Sequence, residues 1–209
     1  VWTMNRLGSP VVSPDGRLAV LSVTEPSYEE DGDVSDLWLV HVDGSIPPRR
    51  LTAMSESESD VNWRPDGGAI AFTAKRGDDE ARQVYVLDMT GPGEAVRITN
   101  LSTGCSNPVW SPDGKRIAYV RTDSSAVKLR SSLIPGDPSY PKVREMRFAR
   151  VGGAIPKIQV GVVGVEGDET CWLELSGPGE DFYLGEIGWA GNSDELLVEK
   201  LSRFRDRRE

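Results

Sequence analysis

Between residues 107 and 122 the chain reads "NPVWSPDGKRIAYVRT", and its apolar positions predict strand, tight turn, strand. Ile117, Tyr119 and Arg121 alternate with Arg116, Ala118 and Val120. Both sets contain apolar residues, the pattern of a strand covered on its two faces. The turn is spelled Ser111-Pro112-Asp113-Gly114. Proline presets φ at the second turn position, serine and glycine suit the first and fourth, and the aspartate can bond nearby backbone amides. Two related hairpins lie upstream, "SPVVSPDGRLAVLSVT" from Ser9 and "DVNWRPDGGAIAFTAK" from Asp60.

The turn aspartates Asp15, Asp66 and Asp113 are separated by 51 and 47 residues. That period suits a four-stranded propeller blade of about 40 to 50 residues. Downstream strands repeat as well: "DLWLVHVDG" and "RRLT" follow the first hairpin, "QVYVLDMTG" and "VRIT" the second. A fourth, worn hairpin is "LGEIGWAGNSDELLVEKL", with Gly191-Asn192-Ser193-Asp194 in place of the proline turn. Trp63, Trp110 and Trp189 hold one offset from their turns and are expected to pack between blades, while Val12 replaces them in the first copy. "PKIQVGVVGV" and "TCWLEL" are further strand candidates. The expected fold is all-β, a partial propeller of about three and a half four-stranded antiparallel blades. The expected bounds are 9–53, 59–100, 106–176 and an incomplete 183–209, with an irregular insertion near 123–155. Three and a half blades fall short of the roughly four to eight that close a propeller, so open strand edges and self-association through them are expected.

Composition excludes several function classes. A net charge of −9 argues against nucleic acid, which needs clustered Lys and Arg. No apolar run approaches the roughly 18 residues of a membrane span, and no signal peptide is visible. Cys105 and Cys171 are read as unpaired thiols rather than a disulfide framework. The one histidine, His41, ends an alternating strand and is read as a surface residue.

These repeats resemble the propeller of the prolyl oligopeptidase family of serine peptidases and, more loosely, TolB-like propellers. The stretch "RLGSPVVSPDGRLAVLSVTEPSYEEDGDVSDLWLVHVDGS" is similar to the acylaminoacyl-peptidase-like branch. The stretches "YPKVREMRFARVGGAIPKIQVGVVGVEG" and "YLGEIGWAGNSDELLVEKLSR" are similar to the dipeptidyl peptidase IV branch, and the seam falls near Thr122–Ser125. The resemblance implies a propeller that caps a hydrolase and limits which peptides reach it. The chain departs from the family where the chemistry lies. It has no G-x-S-x-G elbow to present a nucleophilic serine, and its one histidine, His41, lies in the first blade, so the family's Ser, Asp, His set is not expected on it. The family's ammonium-binding Glu-Glu pair is not carried over to Glu29-Glu30, which sits in the segment similar to the other branch.

No catalytic, cofactor or metal residue is therefore expected on this chain. The acidic segment Glu29 to Asp36 is read as a solvated loop rather than a cation site. "TGPGEA" and "SGPGED" lack the following helix and Lys-Ser/Thr of a phosphate cradle. The insertion supplies the one candidate edge facing a partner or substrate, at Tyr140, Arg144, Arg147 and Arg150. The expected partners are a peptide substrate, met through a hydrolase domain, or a protein bound by a standalone propeller.

Overall fold

A computed structural model describes residues 4–27, 32–54, 56–134, 140, 142–167, 169–175 and 182–209. Among them there is no helix, and every sheet is antiparallel. The first blade contains β1 (Arg6–Leu7), β2 (Val11–Val12), β3 (Leu18–Ser27), β4 (Gly32–His41) and β5 (Arg49–Arg50). Both β1 and β2 pair with β3, so together they make one interrupted first strand. The second blade runs β6 (Ser59–Trp63), β7 (Ala69–Ala74), β8 (Gln83–Asp88) and β9 (Val96–Arg97), each beside the last.

The third blade is β10 (Cys105–Trp110), β11 (Arg116–Asp123), β14 (Lys157–Gly164) and β15 (Cys171–Trp172). Between its second and third strands, β12 (Leu129–Ile134) and β13 (Lys142–Arg147) form a separate two-stranded sheet. The expected irregular insertion is thus a regular hairpin, because six cross-strand pairs from Leu129–Arg147 to Ile134–Lys142 satisfy its backbone. The fourth sheet has β16 (Phe182–Trp189) and β17 (Leu196–Ser202) alone. The array is an open propeller portion.

The proline turns close as their residues dictate. Gly114 N–H donates to the Ser111 carbonyl at 2.8 Å, with Gly114 at φ +67°. Ser111 Oγ donates to Asp113 Oδ1 at 2.6 Å and accepts from Arg116 N–H at 2.9 Å. Ser13 and Asp15 repeat this in the first blade. In the second, Arg64 replaces the serine and its Nε donates to Asp66 at 2.7 Å. These hydrogen bonds hold all three carboxyls below the usual carboxylate range, from Ser13 on Asp15, Arg64 on Asp66 and Ser111 on Asp113.

The tryptophans join the blades through one repeated bond. Trp63 Nε1–H donates to the Val11 carbonyl at 2.9 Å, Trp110 to Asn62 at 3.2 Å and Trp189 to Val109 at 3.2 Å. Each acceptor immediately precedes the tryptophan position of the blade before. Arg64 and Arg116, each beside the turn of one blade, lie over the Trp110 and Trp189 rings of the next at 5.8 and 5.6 Å. Val12, at the equivalent position of the first blade, is 52% exposed. Apolar clusters fill the three joints: Val20, Leu37 and Leu39 against Phe72 and Tyr85; Val84 and Ile98 against Tyr119 and Val163; Val160 and Ala118 against Ile187.

Candidate functional site

Among the described residues, the inserted hairpin is the one regular element that lies outside the blades. Its described side chains are exposed on both faces. Leu133 (67%) stands opposite Val143 (60%) on one face, with Leu129 beside them, and Met146 lies on the other. Phe148 N–H donates to the Lys128 carbonyl at 3.0 Å, which carries the pairing one residue past the strands. At the root, a cleft of about 610 Å³ is lined by Lys128, Arg130, Phe148, Arg150 and Val151 among others. Arg130 lies 5.0 Å from the Phe148 ring centre. The lining has three cationic side chains and no carboxylate, so it suits an anionic or carbonyl-rich ligand in an otherwise acidic chain.

The four candidate residues take different places on this hairpin. Tyr140 is 82% exposed, just before β13. Arg144 is exposed in mid-strand, and its carbonyl accepts from Ser132 Oγ at 3.4 Å. Arg147 turns back, donating from one guanidinium nitrogen to the Ser125 and Val127 carbonyls at 2.8 and 2.7 Å. Those bonds tie β13 to the segment that leads into β12. Arg150 lines the cleft, where its carbonyl accepts from Gly153 N–H. Arg144, Arg147 and Arg150 thus lie along one strand and its exit, with only Arg150 in the cleft.

The acidic segment of the first blade divides. Glu29 and Glu30 lie outside the described residues. Asp36 corrects the reading of a solvated loop, because β4 begins at Gly32 and draws Asp36 into the sheet at 2% exposure. There it pairs with Arg50 and accepts from Met54 N–H at 3.1 Å. Gln83 holds the same position in the second blade and accepts from Leu101 N–H at 2.9 Å. Among the described residues, no group of three or more His, Cys, Asp or Glu side chains is placed to hold a metal ion.

Polar residues not singled out by their sequence form a buried network in the second blade. Glu58, fully buried, pairs with Arg76, whose guanidinium lies 5.1 Å from Phe72 and 5.0 Å from Tyr85. Among the described residues, Glu58 Oε2 and Arg76 Nε have no hydrogen-bond partner. Tyr85 OH donates to Asp79 at 2.5 Å, and Arg97 bonds the other carboxyl oxygen at 2.7 Å. Burial raises Asp79, but the bonds from Tyr85, Arg97 and the Arg76 backbone N–H, together with the Arg97 charge, reverse it and leave the carboxyl lowered. Burial, and then Asp79, pushes Tyr85 up to about 12. Nothing in "MSESESD" separates Glu58 from the exposed Glu56 except its place one residue before β6. Cys105 is buried, with its thiol pushed up to about 11, while Cys171 is exposed and both are free. His41 ends β4.

Fold and repeats define a β-propeller, and comparison with known proteins specifies it. Residues 3–137 match the TolB beta propeller domain, and residues 106–209 match the dipeptidyl peptidase IV N-terminal region. The chain belongs to the TolB beta propeller family. The two matches overlap at 106–137, which contains the expected seam at 122–125. It is 31% identical over 74 residues to a probable dipeptidyl-aminopeptidase B of Podospora anserina, covering 34% of this chain and 8% of that protein. It is 36% identical over 88 residues to the uncharacterized peptidase YuxL of Bacillus subtilis, covering 41% and 13%. Its fold is similar to that of Porphyromonas gingivalis dipeptidyl peptidase 4, with a TM-score of 0.73 at 20% identity over 97% of this chain and 30% of that one. The chain thus spans under a third of the length of the proteins it resembles. No helix among the described residues is long and apolar enough to cross a membrane.

Proposed function

We propose that this chain is the non-catalytic propeller portion of a serine exopeptidase of the dipeptidyl or acylaminoacyl type. It gates and positions peptides for a hydrolase domain that this sequence does not contain. The observation that carries the reading is the match of residues 106–209, insertion hairpin included, to the dipeptidyl peptidase IV N-terminal region. Acyl transfer then belongs to a Ser, His and Asp set in the hydrolase, and the propeller acts by limiting access. Within it, Tyr140, Arg144 and Arg150 form the edge facing substrate or partner, and Arg147 positions that edge through Ser125 and Val127. The purified chain is expected to leave X-Pro and acyl-peptide chromogenic substrates intact, and robust turnover overturns the proposal. A reading frame continuing past Glu209 to a G-x-S-x-G elbow, then Asp and His, supports it.

A second reading is a standalone TolB-like propeller that binds a protein partner. The hairpin favours it, since Leu133, Val143 and Tyr140 are exposed without cover from this chain. A stop codon directly after Glu209 supports this reading over the first.

A further inference from the structure

The inserted hairpin has two unlike faces, and its register decides which residues share each. Side chains alternate along a strand. Leu129, Ser131 and Leu133 therefore share one face with their partners Arg147, Glu145 and Val143. That face holds the one described carboxylate of the hairpin, Glu145, which accepts from Ser131 Oγ at 3.1 Å. Its cation, Arg147, is engaged by the Ser125 and Val127 carbonyls.

The opposite face carries Lys128, Arg130 and Ser132 beside Phe148, Met146 and Arg144. Arg130 lies 5.0 Å from the Phe148 ring centre, which places both on this side. Three successive rungs thus carry one cation each, Lys128 beside Phe148, Arg130 beside Met146 and Arg144 beside Ser132. Such rungs are about 6.6 Å apart. Arg150 continues the row at the root, in the cleft of about 610 Å³. Among the described residues, none of these four cations pairs with a carboxylate.

The root is fixed before any ligand arrives. Gly153 N–H donates to the Arg150 carbonyl at 2.9 Å and closes a turn with Gly152 at φ +77°. Arg203, from beyond β17, donates to the Gly153 carbonyl and ties that turn to the fourth blade. A row of like charges at this spacing repels itself, since it lies within a Debye length. An anion laid along the row relieves that repulsion, whereas the rest of the chain, at net charge −9, disfavours one. An extended peptide repeats the side chains of one face at the same spacing as the rungs. Carboxylates on its alternate residues therefore meet the cations rung for rung. Guanidinium groups take carboxylates through paired hydrogen bonds, and Phe148 and Met146 offer apolar contact to the aliphatic stems.

We propose that this face binds an extended acidic peptide segment with carboxylates on alternate residues. Lys128, Arg130 and Arg144 meet those carboxylates in turn, with Arg150 at the root end. The proposal rests on the reading of this hairpin as the edge facing substrate or partner, and it names acidic peptides as what that edge selects.

The full chain, isotopically labelled, is titrated with the blocked peptide GETETETG at fixed ionic strength while amide chemical shifts are followed. The isomer GTTEEETG keeps the composition but clusters the glutamates, and GQTQTQTG removes the charge. Shifts confined to β12, β13 and residues 150–153 are expected, with the alternating peptide bound tighter than its isomer and the glutamine peptide not bound. Affinity should fall as salt is raised. Arg130→Gln should weaken binding about threefold, and Lys115→Gln, the same charge change at an exposed turn of the third blade, should leave it unchanged. Ser132→Lys adds a cation to the third rung and removes none, so it should strengthen binding even where Arg130→Gln loosens the hairpin. Equal binding of the two isomers, no shifts up to the solubility limit of the peptide, or indifference to both Arg130→Gln and Ser132→Lys overturns the proposal. So does displacement by tripolyphosphate at lower concentration than the peptide, which would make the face a phosphate site. Binding is read without turnover, so a chain with no hydrolase partner fails the peptidase reading and leaves this result standing.

Discussion

Two hairpins of this molecule pair six residues against six without a bulge, β7 with β8 and β12 with β13. Every residue of β7 is buried, while every described side chain of the inserted hairpin is exposed. Their backbones satisfy the same hydrogen bonds. What differs is that β7 and β8 lie between two other blades, and β12 and β13 have none beside them. A lone two-stranded hairpin is marginal in water, so the inserted one depends on its root, where Arg147 holds the Ser125 and Val127 carbonyls. Stability resides in the joints, while the insertion gathers exposed apolar side chains such as Leu133, Val143 and Phe148.

The comparison breaks most sharply at the joints. Phe72→Ala, at a fully buried position, is expected to cost about 3–5 kcal/mol of unfolding free energy in urea titration. Leu133→Ala, on the inserted hairpin, should stay within about 0.5 kcal/mol of the parent, and a larger loss would show that the hairpin belongs to the folded core.

Glu58→Ala removes one partner of the buried ion pair and strands Arg76 beside two aromatic rings. A loss of about 3 kcal/mol is expected by the same titration. A neutral outcome would mean that Arg76 reaches water.

Trp110→Phe keeps the ring in its cluster but deletes the indole bond to Asn62. About 1 kcal/mol is the expected loss at this joint, and Trp189→Phe should match it if the open joint works like the complete one.

Alkaline pH tests the Asp79–Tyr85 pair. The phenol is raised in the folded state from 10.0 to about 12, so its contribution is fully present below pH 10 and is lost as pH climbs toward 12. Tyr85→Phe should flatten that part of the pH–stability curve, and an unchanged slope would refute the assignment.

The smallest effect is expected at Arg147→Ala. The global midpoint should hold, while hairpin amides exchange hydrogen faster than those of β7. Protection equal to that of β7 would show that the hairpin does not depend on Arg147.

The blades were legible in the sequence because their signals are local. A proline turn, an aspartate that caps it and a tryptophan at a constant offset recur in chain order, and the turn and its aspartate act through neighbours a few residues away. The inserted hairpin was legible only as an interruption. Its strands carry Ser and Arg on both faces, so no alternation separates it from an irregular loop. Asp36 and Glu58 were misplaced or missed for the opposite reason. Each sits in an acidic run that reads as solvated, yet the strand beginning beside it carries one carboxylate into the sheet.

By itself, then, the sequence determined the repeat and the turn chemistry, since both depend on residue identity and spacing along the chain. Only the tertiary structure decided which residues of the insertion face outward and which carboxylates are buried. Those outcomes depend on what lies across the sheet or in the next blade, tens of residues away. Burial and edge pairing are properties of neighbours in space, and one chain's order of residues does not name them.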